Sequence, residues 1–268
     1  MPMLQPALVA LLTVMTFALL AWSGRLRTLA EEFPTRPRAA LGLLLLAGIL
    51  TVIVFYPTVY PGAAADVDPA TMWFPSIFAG HVVILIFLQA WWMLAWPMPV
   101  PRFLRLEGAT LGDVGFGIRV GLVGWVAALA ASAVATGILA LIGWQPDPAA
   151  GGGDPLGIPP LILWLAERPF EQKLLIIAAA MTVEEGFYRA FLQPRIGWVA
   201  SSVLFALSHA GYGLPTLLAS VFAVSLVIGW AFRRSGNLLP CVVAHGVFDA
   251  IQLLLIMPVA IEQMRQLG

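Results

Sequence analysis

Residues 74–97 read Phe74-Pro-Ser-Ile-Phe-Ala-Gly-His-Val-Val-Ile-Leu-Ile-Phe-Leu-Gln-Ala-Trp-Trp-Met-Leu-Ala-Trp-Pro97. The stretch holds no Asp, Glu, Lys or Arg, and it exceeds the ~20 apolar residues a helix needs to cross a hydrocarbon layer about 30 Å thick. Seven further segments have the same character: 5–22, 39–59, 115–143, 161–191, 196–210, 215–232 and 238–258. Eight membrane helices are expected. The first lacks the basic flank and small-residue cleavage site of a secretory signal and is read as a retained helix. Glu167-Arg168-Pro169 breaks the fifth, leaving a short interfacial piece at 161–168 and a spanning helix from about 170.

The whole chain agrees with this. Of its 268 residues 60% are hydrophobic and only 10% charged, against roughly 45–50% and 25% in soluble domains. So few charges cannot cover a soluble globule. The fold class is all-α, a polytopic membrane protein. Fourteen basic and fourteen acidic residues, in no cluster, argue against a nucleic-acid partner. One cysteine, Cys241, rules out an intramolecular disulfide or a CxxC site. We read residues 1–150 as about four N-terminal helices and 151–268 as the part carrying the polar motifs, the two forming one integral unit.

Orientation follows the basic residues of short loops. Arg25, Arg27, Arg36 and Arg38 fall in 23–38, Arg102 and Arg105 in 98–114, Arg195 in the next connection on that side, and Arg233-Arg234 after the seventh helix. The alternate loops carry Asp66, Asp68, Asp147 and Asp154 and no basic residue. Eight spans put every basic connection on one side and both termini on the other.

Ionisable groups inside apolar helices mark functional sites, and here they gather in the last third of the chain. Met181-Thr-Val-Glu184-Glu185-Gly-Phe-Tyr188-Arg189 is followed by Phe205-Ala-Leu-Ser208-His209 and then by His245-Gly-Val-Phe248-Asp249. Unpaired at mid-membrane, the four charges would cost about 10–14 kcal/mol on insertion scales. They must pair or line a wet cavity. Glu185 and Arg189 are spaced for an i,i+4 ion pair with the acid first. Glu184 then faces elsewhere, and His245 and Asp249 share one face.

Two chemistries suit Glu184, His209, His245 and Asp249. A carboxylate in a low-dielectric site can act as a general base on water, with one histidine orienting that water. The other histidine would donate to a developing oxyanion, its tautomer fixed by Asp249. Alternatively Glu184, His209 and His245 would hold Zn²⁺ with a position left open for water. Spacing does not separate them.

At these residues the chain resembles the CPBP intramembrane proteases, the CAAX-protease or abortive-infection-like family that includes the type 2 CAAX prenyl endopeptidases. Its three ordered motifs match Glu184-Glu185-x-x-x-Arg189, Phe205-x-x-x-His209 and His245-x-x-x-Asp249. The resemblance covers roughly residues 160–255. It implies a multi-helix endopeptidase with an intramembrane catalytic cavity, Glu184 and His209 activating water and His245 with residue 249 forming the oxyanion site. It further implies that Glu185 and Arg189 orient Glu184, that Phe205 supports the site, and that no cofactor is needed. Asp249 stands where the prenyl proteases typically have Asn, and an ionised Asp cannot donate to an oxyanion. The implied substrate is a membrane-anchored peptide or protein tail, such as a C-terminal sorting tail or a leader peptide, in a bacterial inner membrane.

Other readings stand beside this one. Glu, His and Arg within helices also build proton-coupled transporters, but confinement of the polar residues to one third of the chain disfavours paired repeats. A catalytically silent binding or immunity protein is a third possibility. Cys241 and His245 are also four apart, yet a buried cysteine is usually a small hydrophobe. His81 has no motif around it and is read as a core or interfacial histidine. Gly186 is a candidate for close helix approach.

Overall fold

The structure is a computed structural model that describes residues 4–60, 71–144 and 160–267. Asp66, Asp68, Asp147 and Asp154 lie outside the described residues. All regular structure among the described residues is helical: α1 (Leu4–Trp22), α2 (Arg25–Ala30), α3 (Arg36–Val59), α4 (Phe74–Leu94), α5 (Leu111–Leu141), α6 (Pro160–Ala166), α7 (170–196), α8 (Trp198–Ser208), α9 (Pro215–Ser235) and α10 (Leu239–Gln263), with single helical turns at Val100–Phe103 and Ala210–Tyr212. The chain is an all-α polytopic membrane protein.

Six helices, α1, α3, α4, α5, α9 and α10, are long and apolar enough to cross a membrane. Each coincides with an expected segment. The two other expected spans differ for physical reasons. The fifth breaks at Glu167–Pro169, as its sequence predicts, and α7 carries Glu184, Glu185 and Arg189 at its middle. The sixth, α8, has 11 residues and rises about 16 Å, half the hydrocarbon thickness. A helix that stops at such depth needs protein or a wet cavity around its free backbone groups.

Helix contacts fix the direction of the passes. α4 and α7 interlock through aromatic rings. Phe87 meets Phe187 and Phe191 edge-on at 5.7 and 5.1 Å, and Trp91 meets Phe191 at 4.9 Å. Residue numbers climb together across this seam, so the two helices run parallel. α5 packs along both α9 and α10. It reaches α10 through Gly117 and Gly121: a Cβ on Gly117 would lie 2.7 Å from the Pro240 carbonyl oxygen, and one on Gly121 2.6 Å from that of Ala244. This small-x-x-x-small face lets the backbones of α5 and α10 approach closely. Gly186, by contrast, meets only Leu88 Cδ1 at 3.8 Å, an ordinary contact.

The basic connections touch at one end of the bundle. Arg25 Nη1 donates to the Arg195 carbonyl (2.8 Å), Arg195 Nη2 to Glu32 Oε2 (2.6 Å), and Leu238 N to the Arg105 carbonyl (2.9 Å).

Candidate active site

The adjacent carboxylates of α7 occupy opposite environments. Around them the helix widens into π-type turns at Ala180–Glu184 and Gly186–Leu192. Such turns shift side chains off the ordinary α face and recur at functional sites. Glu185 is completely buried. Its Oε2 accepts from Arg189 Nε at 2.9 Å and its Oε1 from His245 Nδ1 at 2.9 Å. Arg189, also completely buried, donates from Nη2 to Ser225 Oγ on α9 at 3.0 Å and lies 5.2 Å from the Phe205 ring centre. The expected i,i+4 pair is present. Its hydrogen bonds run to Ser225 on α9 and His245 on α10.

Glu184 keeps 16% of its side chain exposed, whereas Glu185 has none exposed. Its Oε1 lies 3.1 Å from His81 Nε2, a residue of α4 that the sequence gave no reason to place here. His209 and His245 both stand within electrostatic reach of Glu184. The π turns and the α4–α7 aromatic seam turn Glu184 toward α4 while Glu185 points into the bundle.

His209 sits at the free end of the short helix α8. Its Nδ1 lies 2.9 Å from the Phe205 carbonyl and 3.2 Å from Ser208 Oγ. A carbonyl only accepts, so Nδ1 carries the proton and Nε2 presents a lone pair. Tyr212, in the turn beyond, stacks on His209 at 6.3 Å and is within electrostatic reach of Glu184 and Asp249. Phe205 is the common wedge: its ring is 4.8 Å from His209, 4.9 Å from Tyr188 and 5.9 Å from His245.

Asp249 Oδ2 lies 3.4 Å from His245 Nε2, on the helical face that the i,i+4 spacing predicts. The closer of the two carboxylates is Glu185, at Nδ1, so His245 is held from both ring nitrogens, by Glu185 on α7 and by Asp249 on its own helix. The residues named for Zn²⁺ do not fit a metal as arranged. Both nitrogens of His245 face carboxylates, and among the described residues no group of three or more His, Cys, Asp or Glu converges on one point. Cys241 turns away from His245, its Sγ facing the carbonyls of Ile228 and Asn237 at 3.7 and 3.8 Å.

Sequence reasoning missed His81, Ser225, Tyr212 and the Gly117/Gly121 seam. The four-residue glycine spacing was there to be read. His81 and Ser225 carry no local signal.

All the site residues just described except His81 lie within one stretch, 168–251. Residues 168–251 match the family model "Type II CAAX prenyl endopeptidase Rce1-like". This part of the chain is similar to that family. It holds Glu184, Glu185, Arg189, Phe205, His209, His245 and Asp249, whereas His81 lies outside it. A protein of Bacillus subtilis (strain 168), YpbD, is 37% identical over 78 residues, which is 29% of this chain and 40% of YpbD. The chain thus spans about two fifths of that relative's length. No solved structure gives a significant match.

Proposed function

We propose that the protein is an intramembrane endopeptidase that hydrolyses a peptide bond in a membrane-anchored peptide or protein tail, using water activated by Glu184 and His209 without a cofactor. The observation that carries this reading is the split between two adjacent carboxylates. Glu185 is sealed and neutralised by Arg189, while Glu184 is open and surrounded by three histidines. Environments that differ this much give neighbouring acids different roles.

In this mechanism a water sits between Glu184 and the lone pair of His209 Nε2. Its oxygen attacks the scissile carbonyl carbon as its proton passes to Glu184. His245, held at Nδ1 by Glu185, offers Nε2–H to the developing oxyanion. Two lone pairs cannot face each other across the 3.4 Å to Asp249, so one proton resides there. Asp249 thus keeps His245 Nε2 protonated until the substrate oxygen replaces it. When the C–N bond breaks, Glu184 returns its proton to the leaving amine. The Rce1-like region supports proteolysis of the CAAX type. A sorting tail or leader peptide at a bacterial inner membrane is the substrate source we propose.

The test compares membrane-protein termini in cells carrying the wild-type chain or Glu184→Gln at equal abundance. Loss of a discrete set of new C-termini in the variant is the expected result. Identical termini would overturn the catalytic reading.

A further inference from the structure

Arg119 lies on α5 about 12 Å along the axis from Leu111, at 1.5 Å per residue. Its side chain is exposed, and no hydrogen bond or ion pair joins it to any other described residue. Glu185 and Arg189 neutralise each other, whereas Arg119 has no such partner. A guanidinium there is stabilised by reaching the headgroup layer or by meeting an anion.

The surroundings favour an anion attached to a chain. Arg119 lines a groove of about 550 Å³ between α5 and α9, whose other walls include Val120, Val123, Val227, Trp230 and Trp198. Nearly all of that lining is apolar, and the volume lies in the range of ligand sites. Trp198 is also a wall of a second hollow of about 510 Å³, toward the basic end of the bundle, edged by Arg105, Arg233 and Gln193. Arg233 stacks over Trp198 with its guanidinium carbon 5.1 Å from the ring centre. Arg105 adopts a left-handed backbone, φ 56°, rare for a residue other than glycine. Its carbonyl is pinned there by Leu238 N. No described carboxylate pairs with Arg105, Arg119 or Arg233. One tryptophan therefore lines both an apolar trough and a neighbouring hollow rimmed with unneutralised cations, and Glu184 lines neither.

We propose that these two neighbouring hollows together bind one anionic phospholipid, an acyl chain in the trough beside Val123 and Trp230 and the phosphodiester among Arg119, Arg233 and Arg105. A zwitterionic lipid brings its own cation and leaves the arginines unneutralised. Basic pockets between membrane helices at the positively charged side select anionic headgroups on the same physical grounds. The site stands independently of any protease activity.

Native mass spectrometry of the purified full chain, titrated with dioleoyl phosphatidylglycerol or dioleoyl phosphatidylcholine, tests the proposal. Phosphatidylglycerol should be retained roughly tenfold more, and Arg119→Gln/Arg233→Gln should remove most of that excess without changing phosphatidylcholine retention. Val123→Trp, which fills the trough and leaves all three arginines, should weaken phosphatidylglycerol retention as well. Equal retention of the two lipids by the wild-type chain overturns the proposal whether or not the variants fold. So does displacement by glycerol phosphate at the lipid's own concentration, since a headgroup-only site needs no trough.

Discussion

At the scale of single residues, the site rests on which carboxylate is open and which is closed. His81 Nε2 contacts the open one at 3.1 Å, and we propose that His81 positions Glu184. His81→Ala should lower turnover about tenfold, less than the roughly 10²–10⁴ supplied by a direct acid–base group. His81→Gln, which keeps a donor in reach, should recover part of the loss. The readout is the yield of Glu184-dependent termini at matched abundance, and unchanged yield in His81→Ala would remove His81 from the site. The closed pair predicts a different signature. Arg189→Met leaves Glu185 buried with His245 as its only partner and should cost about 3–5 kcal/mol. The double variant Glu185→Gln/Arg189→Met should be more stable than Arg189→Met alone, because no buried charge is stranded, yet inactive, because His245 loses its anchor. Unfolding in detergent checks the first part; additive losses would show that the pair is not coupled. The motif residues were legible because charge inside apolar sequence has few structural explanations. His81 was not, since its partner lies 103 positions away and a lone histidine in an apolar run carries no periodic signal.

At the scale of elements, the π turns and the glycine seam set where the motifs point. Helical spacing predicted the Glu185–Arg189 and His245–Asp249 pairs, both i,i+4, and both are present. It did not predict that Glu185 would reach α10, because widened turns carry no composition signature and alter which residues share a face. The glycine seam makes a sharper forecast. A Cβ on Gly121 would meet the Ala244 carbonyl at 2.6 Å and Val247 Cβ at 2.8 Å. Both are on the helix that presents His245, and backbone there cannot give way cheaply. Gly121→Val should therefore destabilise by about 1–3 kcal/mol and lower activity by displacing His245. Gly115→Ala, two residues before the seam and with nothing within 4 Å, should be neutral or stabilise by up to about 1 kcal/mol. Thermal unfolding of the two purified variants decides. Equal behaviour would mean that α5 and α10 do not rely on close contact.

At the scale of the whole molecule, hydropathy placed six long helices well because membrane thickness sets their length. The other two segments are not matched by helices of that kind, because α7 carries three charges at its middle and α8 has only 11 residues. The family region covers 168–251, yet the environment of its acids is completed from outside it. His81 comes from α4, the aromatic partners Phe87 and Trp91 from the same helix, and the Gly117/Gly121 face from α5. We therefore propose that 1–150 and 151–268 act as one unit. A chain reduced to 151–268 would lose the helices against which α7 and α10 pack, exposing Phe187 and Phe191 to lipid and leaving Glu184 without its contact from α4. It should yield no Glu184-dependent termini, even where it accumulates in the membrane. Co-expression with 1–150 as a separate chain should restore them. In such a membrane helices form before they associate, and their packing needs no covalent link between neighbours. The same co-expression with a 1–150 chain carrying His81→Ala should restore about a tenth as much, the loss expected in the intact protein. Full activity of 151–268 alone would show that the Rce1-like region suffices and that the N-terminal helices serve another purpose.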